Sequence, residues 1–354
     1  MAGGLGSYIG RTYGNWFNSG GGTGAWKLTD IKYFRSLGKW GSQIIATGGN
    51  QTPSSGLEPG NGYTYHTFTS PGSLTVTLGG NIEILLVGGG GGPGVSGGGG
   101  GGAGGVVYVT DMSIGPGSYP VTIGQGGPGF TFPDPGYTPQ PGTDTTFSTN
   151  PSPVYLIAKG GGAGTPMGGT DAPGGSGGGG ARTNTPGGTG TQPTQNPGFS
   201  NGTINQYGNP GGASAAGFYP GGGAGGGGGG GASQAGTPSP GPGSGSDGGD
   251  GVLIAPGSPQ PGFYGPIIGV PALAPLNGYF GGGGGGGNDG YISPGGLGGG
   301  GDGGRGAPNF PPNITGGAGV TNSGGGAGGC GSGPGTTGSG QAGGPGIVVI
   351  RYIT

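Results

Sequence analysis

Ile82-Glu83-Ile84-Leu85-Leu86-Val87 runs straight into Gly88 to Gly92. Past Pro93-Gly94-Val95-Ser96 the chain continues as Gly97 to Gly102, until Val106 opens another apolar run. Strand meets glycine twice with no conventional turn between them. The junction recurs at the other end, where Gly343-Gly344-Pro345-Gly346 leads into Ile347-Val348-Val349-Ile350-Arg351-Tyr352. Glycine clamped between strands reads as architecture and not as a linker.

Glycine occupies 117 of 354 positions, a level at which collagen, flexible linker and unusual ordered structure compete. Collagen needs glycine at every third position, and Val106 to Ser113 contains none. Flexible Gly/Ser linkers are not interrupted by Val, Ile and Tyr strands. What is left is an ordered bundle of extended polyproline II helices, three residues per turn, lying side by side. Without a Cβ, backbones approach closely, and the N–H and C=O groups such a helix leaves unpaired can pair between helices. Ordering each glycine costs roughly 0.5–1 kcal/mol more than ordering alanine. Inter-helix hydrogen bonds of about 0.5–1.5 kcal/mol each offset this only if most of them form.

Hydrophobic residues are 28% and charged residues 6%, too few for an ordinary core and too few for a charged disordered tail. Five of the nine basic residues, Arg11, Lys27, Lys32, Arg35 and Lys39, lie in the first 39 with Asp30 the only acid. That is 5 − 1 = +4 there and 4 − 10 = −6 over the rest. All three tryptophans, Trp16, Trp26 and Trp40, share that segment. Leu28, Ile31, Phe34 and Leu37 recur at helical spacing, which predicts a short amphipathic helix over Lys27 to Leu37 with Gly38 as its C-cap. The expected organisation is an N-terminal docking arm and helix over 1–47, a linker over 48–62, and one glycine-rich domain over 63–354.

Within that domain, Tyr63 to Thr69, Leu74 to Leu78, Ile82 to Val87, Val106 to Val109, Tyr119 to Ile123 and Val154 to Ala158 read as strands. Gly79-Gly80 reads as a tight hairpin, and Ile347 to Tyr352 is expected to pair within the same sheets. The fold class is therefore mainly β: a small β-sandwich fused to packed polyglycine II helices, preceded by one short α-helix. Further rows at Gly177 to Gly180, Gly225 to Gly231 and Gly281 to Gly287 extend the bundle. The loops between them carry the large side chains.

Ile84-Leu85-Leu86-Val87 before polyglycine, Gly115-Pro116-Gly117-Ser118-Tyr119-Pro120-Val121-Thr122-Ile123-Gly124, and the terminal Gly344 to Tyr352 together resemble the glycine-rich domain of bacteriophage tail-fibre and related virion proteins, over roughly residues 70 to 354. The order is also similar to tail-fibre tip adhesins, whose polyglycine helices form a slab bearing variable loops. The resemblance implies a virion protein, assembled in the host cytoplasm, that attaches to a host-surface glycan or outer-membrane protein. It implies candidate receptor contacts at Phe199, Tyr207, Phe218, Tyr219, Phe263, Tyr264, Ile267, Ile268, Tyr279, Phe280 and Phe310. Docking to other virion tail proteins falls to Trp16, Trp26, Leu28, Ile31, Phe34, Leu37 and Trp40. A homo-oligomer, with a trimer favoured, belongs to the same expectation. The bland alternative is that the loop aromatics pack on one another, in a purely structural fibre-shaft, tail-tip or decoration protein.

Catalytic chemistry has little to stand on. His66 is the only histidine and sits in an alternating strand, which suits cross-strand packing. Cys330 lies among glycines as a small filler and excludes an intramolecular disulfide. Gly-x-Gly-x-x-Gly matches arise from composition alone and lack a strand-to-helix setting. Asp247 and Asp250 resemble calcium-binding nonapeptides only faintly, without the tandem repeat, and no metal, cofactor or nucleic-acid partner is expected. No basic leader followed by an apolar stretch opens the chain, and no run approaches the roughly 18 apolar residues of a membrane span. An ice-binding surface protein would need a flat face of repeated Thr or Ala, which the linear sequence does not repeat.

Overall fold

The computed structural model describes residues 44–354, apart from 132–135, 149–153, 167, 170–171, 183, 196–201, 216–224, 242, 255–262, 264, 307–313, 334–335 and 338. The expected arm and its helix lie outside the described residues.

Two five-stranded antiparallel sheets form a sandwich. The outer sheet has the order β1 (Ile45–Thr47), β3 (Gly72–Leu78), β6 (Gly117–Thr122), β7 (Thr145–Ser148), β8 (Val154–Ala158). The inner sheet has the order β2 (Tyr63–Phe68), β14 (Ile347–Ile353), β4 (Gly80–Val87), β5 (Val106–Ile114), β9 (Thr203–Tyr207). The last strand closes the domain as expected, after two short paired strands, β12 (Ser332–Gly333) and β13 (Thr336–Thr337). Val348 pairs with Phe68 on one side and Leu86 on the other.

Burial explains the difference between the two sets of strands. In β3, Leu74 and Val76 point into the sandwich while Thr75 and Thr77 face outward, the alternation of a sheet buried on one face. In β4, Ile82, Ile84 and Leu86 enter the core between the sheets. Leu85 and Val87 enter a second core on the opposite face, with Val106, Tyr108, Ile347 and Val349. That second face is covered by Phe263, Ile268, Leu273 and Phe280. The first three come from the segment between β10 (Val252–Leu253) and β11 (Tyr279–Phe280), which includes a 3-10 helix, Pro271–Leu276, and Phe280 comes from β11 itself. A strand covered on both faces needs no alternation, so its apolar run is continuous.

One connection differs from expectation. Gly79-Gly80 is not a hairpin, because β3 belongs to the outer sheet and β4 to the inner one. The singly buried β3 and doubly buried β4 have different environments to satisfy, and the chain crosses between sheets. A Cβ on Gly79 would strike the Ile114 carbonyl oxygen. The sandwich also starts before residue 63. β1 pairs with β3, and Gln51 caps the edge of β2, accepting from Thr67 N–H at 2.9 Å and donating to the Tyr65 carbonyl at 3.0 Å. At the far edge, Gln195 accepts from Ile157 N–H at 2.8 Å, and Gln192 accepts from Lys159 N–H at 3.0 Å and donates to the Ile157 carbonyl at 2.8 Å. Side-chain amides thus satisfy edge groups that would otherwise invite another strand.

Beyond the sandwich the strands run on as glycine rows. The row 97–105 leads into β5 and sits at the centre. Its N–H groups turn in a cycle of three: Gly99, Gly102 and Gly105 donate to Thr165, Gly162 and Lys159; Gly100 and Ala103 to Gly227 and Gly230; Gly101 and Gly104 to Ala327 and Gly324. Its carbonyls accept from three further rows: from Gly88, Gly91 and Gly94; from Ser176 and Gly179; and from Gly284 and Gly287. One row is thus bonded to six, where a strand in a sheet is bonded to two. None of Gly98 to Gly102 has a positive φ. Glycine is required here because a neighbouring backbone lies where a Cβ would be. On Gly99 it would overlap Gly179, and on Gly100 it would overlap Gly284.

Candidate functional site

Buried titratable groups gather where the inner sheet meets its cover. The Arg351 guanidinium, 3% exposed, donates to Glu83 Oε2 from Nη2 at 2.8 Å and from Nε at 3.0 Å. It also contacts the Tyr65 hydroxyl at 3.4 Å. It also lies over the Tyr63 ring at 4.2 Å and the Phe263 ring at 5.0 Å. The Tyr108 hydroxyl donates to the same Glu83 oxygen at 2.5 Å. Burial works against the charge on Arg351, but the Glu83 carboxylate and the Tyr65 hydroxyl outweigh it and hold its pKa above the ordinary value. Burial, with the Glu83 hydrogen bond, raises that of Tyr108. Among the described residues, the polar groups that engage Arg351 and Glu83 belong to the fold itself, so the cluster holds the cover down.

His66 and Cys330 are similarly engaged. His66 contacts the Gly48 carbonyl through Nδ1 at 2.9 Å and the Tyr352 hydroxyl through Nε2 at 3.0 Å. Burial lowers its pKa, against a smaller opposing effect of the Gly48 hydrogen bond, so the ring is neutral at pH 7. Burial pushes the Cys330 thiol up to about 12, far from thiolate reactivity. Among the described residues no group of three His, Cys, Asp or Glu is placed to hold a metal ion. No helix among them is long and apolar enough to cross a membrane.

The loop residues expected at a receptor surface are divided by the fold. Phe263, Ile268 and Phe280 are core residues beneath 2% exposure, and Ile267 packs half-buried against the same core. They do not project. An apolar loop next to an uncovered sheet face gains more by closing onto it, at about 25 cal/mol per Å² buried. Tyr207 and Tyr279 are half-buried, on β9 and β11. Phe199, Phe218, Tyr219, Tyr264 and Phe310, and likewise Trp16, Trp26, Leu28, Ile31, Phe34, Leu37 and Trp40, lie outside the described residues.

Besides Ile45, Leu78, Leu253 and Ile353, three apolar side chains of one loop stand in solvent and were not anticipated. Tyr291 is 75% exposed, Ile292 48% and Leu297 58%. Buried Asn288 pins their loop, its Oδ1 accepting from Gly290 N–H at 2.8 Å and Tyr291 N–H at 2.7 Å. Residues 293–297 then join the lattice: Gly296 donates to Gly283 at 2.8 Å, while Gly248 and Gly251 donate to Pro294 and Leu297 at 3.0 and 2.7 Å. Tyr291, Pro294 and Leu297, spaced by three, are all exposed, as is Ile292. That spacing is the signal in the sequence that would have found them. The outer sheet's solvent face is also more regular than the linear sequence suggested. Thr47, Thr75 and Ser118 lie in one cross-strand register, Ser73 and Ser118 hydroxyls meet at 2.8 Å, and Thr122 and Thr146 hydroxyls at 2.7 Å.

Strands that pass without turns into a lattice of glycine rows, closed by the last strand, occupy the span matched by the model of a glycine-rich domain, residues 69–353. The chain belongs to this glycine-rich domain family. A comparison with curated proteins gives no match. The family domain thus takes in all the described strands except β1 and β2.

Proposed function

We propose that this glycine-rich domain protein is a non-enzymatic phage virion component of the tail fibre or tail tip, which attaches to the host surface through segments held on a rigid scaffold. In this reading the glycine rows pack as left-handed polyglycine II helices with three residues per turn. The observation that carries it is the central row 97–105, whose N–H and C=O groups cycle through six neighbouring rows in steps of three. An interior satisfied by backbone alone leaves side chains at its margins, already ordered before any ligand arrives. Less binding energy is then lost in fixing them, and several copies per particle raise avidity. The likeness of the strand and glycine order to phage tail-fibre proteins supplies the virion setting, with oligomers of the chain and a host glycan or outer-membrane protein as partners.

The purely structural virion component keeps one observation in its favour. Phe263, Ile268, Leu273 and Phe280 of the most apolar loop, 253–280, cover the inner sheet and are withdrawn from any ligand. Fluorescently labelled full-length protein, tested on susceptible host cells beside a Tyr207→Ala/Tyr279→Ala variant, separates the two. Saturable binding that blocks phage adsorption and weakens in the variant is expected. Folded protein that binds no susceptible host would leave the structural role.

A further inference from the structure

The exposed row from Tyr291 to Leu297 is bordered by carboxylates on both sides. Asp250 Oδ1 accepts from Leu297 N–H at 2.8 Å, and on the other side Asp302 Oδ1 accepts from Gly295 N–H at 2.9 Å. Asp247, exposed, follows Ser246 in the row beside it. No lysine or arginine occurs between residues 247 and 302, where Asp289 is the fourth acid, and Arg305, bridged to Asn288, sets one positive charge against these four. The surface is thus an apolar ridge, held firm by Asn288 and the lattice, inside an acidic border. A ridge of this kind matches a partner that is itself apolar and basic.

One segment of this chain has that chemistry. Residues 26–40 combine Trp26, Trp40 and the apolar series from Leu28 to Leu37 with Lys27, Lys32, Arg35 and Lys39, against a single acid. The rest of the chain carries a net −6 by the count above. Position says which copy supplies it. Around the central row the neighbours follow in the order 88–94, 159–165, 176–179, 225–231, 281–287, 324–330, because each bonds the next. The linking donations are Gly164 to Gly92, Gly162 to Ser176, Gly230 to Gly177, Gly229 to Gly284, Gly329 to Gly285 and Ala327 to Gly91. Row 159–165, which extends β8 of the outer sheet, is therefore opposite row 281–287. Row 293–297 lies beyond 281–287, bonded to it through Gly296 and Gly283. The chain enters the fold at β1 in the outer sheet, on the face away from the ridge.

We infer that residues 26–40 of a second copy of this chain dock on the Tyr291–Leu297 ridge, joining copies head to tail. Such a contact is heterologous, using different surfaces on the two copies, and closes into a ring or extends into a row according to its rotation. The inference needs no assumption about a virion or a host.

Tryptophan emission tests it in the unmodified full chain, because all three tryptophans lie within the first 40 residues. Raising the protein concentration should shift the emission to the blue and lower acrylamide quenching, in step with a rise in mass by light scattering. High salt should weaken the shift, since Asp247 and Asp302 of the acidic border are exposed. Tyr291→Ser/Leu297→Ser should weaken self-association by about tenfold or more, as loss of central apolar contacts does. Leu78→Ser, at an exposed apolar position on the outer sheet, should leave it unchanged, and circular dichroism confirms that both variants are folded. A blue shift independent of concentration would place the segment on its own chain and overturn the inference. So would an unshifted spectrum, or self-association that survives in the ridge variant.

Discussion

Gly99→Ala puts the strongest demand on the glycine lattice. A Cβ at this position would lie well inside 3.0 Å of the Gly179 carbonyl oxygen and carbon, where ordinary contact begins at 3.4 Å. Neither row has free space to yield, because row 97–105 is bonded on all sides and Gly179 is buried. Relief requires a backbone shift on the order of 1 Å. That shift strains three hydrogen bonds: Gly179 N–H to Gly100 at 2.8 Å, and Thr165 N–H and Oγ1 to the Gly179 carbonyl, both at 3.0 Å. At about 0.5–1.5 kcal/mol each, their loss costs about 1.5–4.5 kcal/mol. Alanine returns about 0.4–1 kcal/mol by restricting the unfolded chain, leaving a net destabilisation of roughly 0.5–4 kcal/mol. Gly115→Ala is the control, since nothing lies within 4 Å of its Cβ position and its φ is not positive. The same unfolded-state effect should make it neutral or slightly stabilising. Urea unfolding of both variants and the parent chain measures the difference. Equal midpoints for Gly99→Ala and Gly115→Ala would refute close backbone packing as the reason for glycine at position 99.

Other groups give independent checks. Glu83→Ala should destabilise by about 3 kcal/mol, because it strands the Arg351 guanidinium in the core, and Glu83→Leu/Arg351→Met should recover much of that loss in a double-mutant cycle followed by urea unfolding. Because the folded-state pKa of His66 is depressed, its neutral form favours the fold. Stability is full above the unfolded histidine value and falls as pH drops through and below it toward the folded one, since the unfolded chain binds the proton first. Unfolding midpoints measured against pH should lose that component in His66→Gln. Cys330, buried with its thiol pushed up to about 12, should resist an aromatic disulfide reagent at neutral pH in native protein and react promptly in denaturant. Fast labelling of the native protein would contradict its burial.

Much of the architecture is legible along the chain. Ile84 to Val87 and Ile347 to Ile350 are continuous apolar runs because the inner sheet is buried on both faces, while Leu74 to Leu78 alternates because the outer sheet is not. Periodicity records how many faces of a strand are covered. It does not record which sheet a strand joins, so Gly79-Gly80 looked like a hairpin although it carries the chain from one sheet to the other. Buried Arg351 was likewise invisible as a core residue, since its partner Glu83 is 268 positions away.

The loops mark the boundary between the two kinds of information. Phe263 and Tyr291 both stand among glycines and prolines, and nothing local distinguishes them. Phe263 closes onto Tyr108 and Arg351, while Tyr291 is left in solvent. Composition and local pattern determined that this chain is a β protein with ordered rows of glycine. Which side chains remain on its surface was decided only by tertiary structure. Each glycine row is placed by hydrogen bonds to rows distant in sequence, and those bonds form between backbone groups that are identical at every glycine.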